Sequence, residues 1–192
     1  MTGIYDHPKA RKFKWPEAGP VSCGDWNPVA ECGQGLHGLL WGEGDGSTLS
    51  WDNDAKWLVV AVPDGTWVEL DGKVKFPRGT VVFCGERRDA TDYLQERAPG
   101  RNVVGATATA GYRGTATAGD AGTATAGYRG TATAGDHGTA TAGDYGILNV
   151  RWWDGKRYWI ATMYVGEDGI EPNQPYRVDD KGRAVKVAKV TP

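Results

Sequence analysis

Cysteine is scarce in this chain of 192 residues: there are three, Cys23, Cys32 and Cys84. An odd number cannot close a disulfide framework and agrees with a reducing compartment. With His37 they form the spacing C-x8-C-x4-H, which lacks the close C-x2-C knuckle of structural zinc sites, so small buried hydrophobes are the simpler reading. Long apolar runs are missing as well. None approaches the roughly 18 residues of a membrane span, and Met1 is not followed by the basic and apolar regions of a signal peptide. Charge of one sign is also lacking. The net charge is −2, no segment has the basic excess that neutralising phosphates requires, and the chain is not acidic enough to imitate a DNA backbone. These absences predict a soluble cytoplasmic protein with neither nucleic acid nor membrane as a partner.

What the sequence does have is a repeat. Ala106 to Tyr145 holds five copies of one octad, G-T-A-T-A-G-x-x, with Ala106 in place of the first glycine. A period this short, built from threonine, alanine and glycine, cannot form a globular core and reads as a stacked array. T-A-T-A alternates with period two, so one strand face is threonine and the other alanine, and the glycines and the x-x pair form corners. Alanine is the inside residue, because a thin coil has no room for more. Tyr112 and Tyr128 recur at sixteen residues, as do Asp120 and Asp136, so the coil is expected to hold two octads and two strands. One edge then stacks Tyr112-Arg113 on Tyr128-Arg129, and the other stacks aspartates. Thr107, Thr109, Thr123, Thr125, Thr139 and Thr141 fall on one hydroxyl-bearing face, and Thr115, Thr117, Thr131 and Thr133 on the opposite one.

The flanks are less regular. Residues 1–20, basic and carrying Pro8 and Pro16, read as an arm. Residues 21–104 read as a small α+β module. Lys56–Val62 is a buried strand, Thr66–Leu70 and Lys73–Phe76 form a hairpin around Asp71-Gly72, and Thr80–Cys84 is a further strand. Asp89–Arg97 is the best helix, with Asp89 as its N-cap. Residues 105–150 form the solenoid, in which Gly146–Val150 takes the place of a sixth octad and closes the array with larger apolar residues. Residues 151–192 read as an antiparallel β cap of two hairpins. Trp152, Trp153, Tyr158 and Trp159 make it a candidate interface, with core packing as the plainer account. The predicted fold is therefore mainly β: a short β-solenoid between an α+β module and an antiparallel cap.

Two resemblances follow from these residues. Cys32-Gly33-Gln34-Gly35-Leu36-His37 resembles the C-x-x-G-(F/L)-H signature of an uncharacterised domain of phage and bacterial proteins, which implies no activity. The same G-L-H turn is similar to the sugar-contacting part of ADP-ribosyltransferase-like folds, which would make His37 a ligand contact; a turn histidine bonded to its own backbone is the alternative. The octads A-G-Y-R-G-T-A-T and A-G-D-H-G-T-A-T resemble the A-G-Y-G-S-T-x-T repeats of bacterial ice-nucleation proteins. That resemblance implies β-solenoids whose T-x-T rows order water and whose tyrosine ladder supports dimerisation.

The role expected first is non-enzymatic, with no catalytic residue, metal or cofactor. It is that of an interaction or assembly protein encoded by a phage or bacterium, with the solenoid as a rigid spacer or dimerisation edge. Its partner would be a second copy or a host protein. Three alternatives stand beside it: ice or ordered-water binding through the T-x-T rows, inhibition of a host defence enzyme by a phage protein, and nucleotide binding by an ADP-ribosyltransferase-like N-terminal domain.

Overall fold

The computed structural model describes residues 13–188. The chain forms two compact units that divide between Arg101 and Asn102, and the octads and the hairpins after them fall in one unit. Residues 1–12 of the expected arm lie outside the described residues, and by Gly19 the chain is already in a strand.

The first unit contains β1 (Gly19–Ser22), β2 (Leu36–Gly38), β3 (Trp57–Ala61), β4 (Val68–Leu70), β5 (Lys73–Phe76), β6 (Arg78–Gly85) and helix α1 (Arg87–Arg97). These strands make two antiparallel sheets, ordered β1-β6-β3 and β2-β5-β4. Leu58, Val74, Phe76 and Val81 supply much of its buried core, as their apolar runs require. The hairpin β4–β5 turns at Asp71-Gly72 with Leu70 opposite Lys73, and Gly72 takes a positive φ of 69°, which glycine adopts without steric cost. Helix α1 starts earlier than its sequence implies. Its N-cap is Glu86, whose side chain makes no capping bond, and Asp89 lies in the first turn. A carboxylate there still suits the positive end of the helix dipole.

The second unit is built on β7 (Thr107–Ala110), β8 (Thr115–Ala118), β9 (Thr123–Ala126), β10 (Thr131–Ala134) and β11 (Thr139–Ala142), followed by β12 (Ile147–Trp153), β13 (Tyr158–Tyr164), β14 (Tyr176–Val178) and β15 (Ala184–Lys186). Alternate octads stack in parallel: Thr115 on Thr131, Thr107 on Thr123 and Thr123 on Thr139. The coil is thus sixteen residues and two strands, a short β-solenoid. Its two sheets are ordered β13-β12-β10-β8 and β15-β14-β11-β9-β7.

Between the sheets lie Ala116, Ala124, Ala132 and Ala140, each at most 3% exposed. A buried methyl contributes only about 0.8 kcal/mol, so the backbone carries much of the fold. The N–H of Thr131 reaches the Gly114 carbonyl at 2.9 Å, and at the corners the N–H of Arg113 reaches the Tyr128 carbonyl at 2.9 Å. Glycine is required where coils touch: a methyl group on Gly127 would lie 2.8 Å from the Gly111 carbonyl carbon. The second corner residue has positive φ throughout, at Arg113, Ala121, Arg129, His137 and Tyr145.

At its C-terminal end the core widens from alanine to Leu148, Val150, Met163, Ile170 and Tyr176. Strand β12 both continues the parallel stack on β10 and pairs antiparallel with β13. Strand β14 lies antiparallel on β11, with Tyr176 opposite Ala140, and β15 pairs with β14. Strands β7 and β8 each pair on one side only among the described residues.

Candidate functional site

The alternation of T-A-T-A turns every threonine of the array outward from one of the two sheets. On the sheet containing β7, β9 and β11, Thr107 and Thr109 are exposed and Thr123, Thr125 and Thr141 are half-buried. Thr139 is only 7% exposed: Arg177, from β14, donates its Nε to the Thr139 Oγ1 at 2.9 Å. The face of six threonines is therefore closed at its C-terminal end by the cap.

The opposite sheet is arranged differently. Thr115 and Thr117 are exposed, and Thr131 and Thr133 are half-buried beside them. In register with Thr117 and Thr133 come Asn149 of β12 and Thr162 of β13. Thr162 donates its hydroxyl to Asn149 Oδ1 at 2.9 Å, and Asn149 Nδ2 approaches the Thr133 hydroxyl at 3.5 Å. A polar row thus crosses all four strands of the sheet. Asn149 and Thr162 lie outside the octads, and only the pairing register shows that they extend the row.

The two corner edges are also distinct. The Tyr112 and Tyr128 rings stack at 5.8 Å with their planes 4° apart, and Tyr145 meets Tyr128 edge-on at 5.7 Å. Arg113 lies over Tyr112, and Arg129 is within 5.7 Å of both Tyr128 and Tyr145. Tyr145 joins this ladder although it occupies the second corner position rather than the first, which is why a sixteen-residue period does not reveal it. The aspartate edge is bonded internally. Asp120 Oδ1 accepts the Asp136 N–H at 2.9 Å and pairs with the Arg151 guanidinium.

In the cap the four aromatics do different things. Trp152 is half-buried, and Gly182 packs so closely on its indole that a methyl group there would force the ring to shift. Trp153 and Tyr158 pair at 4.9 Å on the outer face, with Arg151 over Tyr158. Trp159 is exposed, donates its indole N–H to Asp154 Oδ2 at 2.6 Å and lies under the Arg157 guanidinium.

In the first unit, His37 is not in a turn. It sits in β2 opposite Lys75, and its Nε2 is buried without a hydrogen-bond partner. Burial, then the charges of Lys73 and Lys75, hold its pKa below the ordinary 6.5. Lys75 is 1% exposed and its ammonium donates to the Glu31 carbonyl at 2.8 Å, fastening the loop before β2. Cys23 and Cys84 are half-buried and Cys32 is exposed.

With these surfaces described, comparison with known proteins points to one group. The chain is similar to ice nucleation proteins. One from Xanthomonas campestris pv. translucens is 47% identical over 87 residues, 44% of this chain and 6% of its own length. Another, from Pseudomonas fluorescens, is 42% identical over 84 residues, 43% of this chain and 7% of its own length. Ice nucleation protein InaU of Pantoea ananas is 39% identical over 82 residues, 42% of this chain and 8% of its own length. This chain therefore spans only a small part of the curated relatives that it matches. Each matched stretch is longer than Ala106–Tyr145, so the likeness includes sequence outside the octads. No family model and no solved structure matches the chain.

Two expectations change on these findings. Cytoplasmic localisation is overturned, because the ice nucleation proteins it resembles are surface proteins anchored in the outer membrane. The signature at Cys32–His37 gains no support, and of the two sources expected, phage or bacterium, the phage gains none: the relatives come from bacteria. No helix among the described residues is long and apolar enough to cross a membrane.

Proposed function

We propose that the second unit is a non-enzymatic, water-ordering element that binds ice through the sheet of β8, β10, β12 and β13. The observation that carries this reading is the polar row Thr117–Thr133–Asn149–Thr162, with Thr115 and Thr131 beside it. Neighbouring strands lie about 4.8 Å apart, and outward residues along one strand about 6.7 Å apart, so the hydroxyls form a flat two-dimensional grid. Between Thr115 and Thr131, and between Thr117 and Thr133, one water about 2.8 Å from each hydroxyl spans the shorter spacing at an angle of roughly 120°, close to the tetrahedral angle of ice; the Asn149 amide links Thr133 and Thr162 directly. The methyl groups between the hydroxyls offer water no competing hydrogen bonds. The names of the relatives support the same reading.

The six-threonine face is the weaker candidate, because Arg177 lies over Thr139 and leaves it only 7% exposed, whereas Thr117 and Thr162 of the polar row are exposed and Thr133 and Asn149 are half-buried. The test is ice-recrystallisation inhibition and droplet freezing with Thr117→Val and Thr133→Val, which keep the shape and remove the hydroxyls. Activity is expected to fall below that of the wild type, whereas Thr109→Val with Thr125→Val changes it less. Equal activity in wild type and the Thr117/Thr133 variant would sink the proposal.

A further inference from the structure

Strand β13 ends its sheet: β12 pairs with one side of it, and no strand among the described residues pairs with the other. Edge strands of soluble proteins are normally blunted by proline, by charged side chains or by a bulge. Tyr158–Tyr164 has none of these. Its seven residues are uncharged, contain no proline and keep unbroken register with β12. Its outer face also exposes apolar surface, with Ile160 at 66% and Tyr164 at 50%.

We infer that this edge pairs antiparallel with the same edge of a second copy of the chain, joining two four-stranded sheets into one. In Y-W-I-A-T-M-Y the two tyrosines stand at equal distances on either side of Ala161. Self-pairing centred there sets Tyr158 opposite Tyr164, Ile160 opposite Thr162 and Trp159 opposite Met163, with alanine facing alanine on the axis. Those are the aromatic, β-branched and sulfur–aromatic cross-strand pairs that favour sheet formation. The flanking cations also come near carboxylates. Continuing the same register brings Lys156 and Arg157 of one copy to Gly166 and Val165 of the other, next to its Glu167 and Asp168. Backbone hydrogen bonds give such an edge its affinity and the side-chain register gives it selectivity.

The test is the mass of the full chain in solution, measured by light scattering, which does not depend on any activity toward ice. Wild type is expected at twice the chain mass. Ile160→Lys with Thr162→Lys, which sets lysine opposite lysine, is expected at the chain mass with an unchanged circular dichroism spectrum. Ile160→Glu with Thr162→Glu behaves the same way alone, and mixing the two variants restores the doubled mass. Tyr112→Ala with Tyr128→Ala leaves the dimer intact. A monomeric wild type, a dimeric lysine variant, failure of the mixture to pair, or loss of the dimer only in the tyrosine variant would each overturn the inference.

Discussion

Asp120 Oδ1 accepts the backbone N–H of Asp136, one coil further along, and pairs with the guanidinium of Arg151 in β12. One carboxylate, with 12% of its side chain exposed, therefore ties two coils and the start of the cap hairpin. Removing it leaves a backbone N–H and a partly buried guanidinium without their acceptor. A charge-assisted hydrogen bond contributes about 1.5–3 kcal/mol, and Arg151, with 41% of its side chain exposed, recovers part of that in water. Asp120→Ala is expected to cost about 2 kcal/mol, lowering Tm by roughly 10 °C for a unit of this size. Asp120→Asn, which keeps an acceptor but not the charge, falls between it and wild type. Thermal unfolding followed by circular dichroism decides; a shift of Asp120→Ala no larger than that of an exposed surface change would refute the tie.

The corners yield a pair of opposite predictions. Ala121 has φ of 49°, a region that costs an L-residue with a Cβ roughly 1–2 kcal/mol, while glycine there gives up about 0.5–1 kcal/mol of chain entropy. Ala121→Gly should therefore stabilise by about 0.5 kcal/mol. Gly127→Ala should do the reverse, because its new methyl meets the backbone of the preceding coil rather than a side chain that could move. Overpacking of that kind costs about 1–3 kcal/mol. Urea midpoints for both variants test the argument together, and the same sign for the two would refute it.

The solenoid was legible because its information is local. The strict alternation of threonine and alanine sets which side is buried, and Tyr112, Tyr128, Asp120 and Asp136 set the sixteen-residue phase. What escaped the sequence lies across long chain separations. Arg177 covers Thr139 from 38 residues away, and Arg151 meets Asp120 from 31. Neither Arg177 nor Arg151 belongs to a repeat that would mark it. The strand Leu36–Gly38 is too short to show a period, so His37 looked like a turn residue until β5 supplied its partner strand. The start of α1 was misplaced for a different reason: Asp89 has the chemistry of an N-cap, but Glu86 takes that position without using its side chain. The exposed edge of β13 is likewise a property of sheet order, which no window of residues contains.

His37 gives a prediction in pH. Its imidazole lies across from Lys75 in β5, close to Lys73, with Nε2 buried and unpartnered. Burial and the two lysine charges therefore disfavour the protonated ring in the folded state. The unfolded chain takes up a proton near the ordinary 6.5, whereas the folded chain does so only at lower pH. Protons then bind preferentially to the unfolded state as pH falls below 6.5, so stability is greatest above that value and declines on acidification toward the folded pKa. His37→Gln removes the titrating group and should flatten this part of the profile. The measurement is the urea midpoint of the full chain between pH 7 and pH 5, followed by tryptophan fluorescence, as the difference between wild type and variant, which cancels the carboxylates common to both. A wild type that gains stability over this interval relative to His37→Gln would mean that the folded protein favours the charged ring.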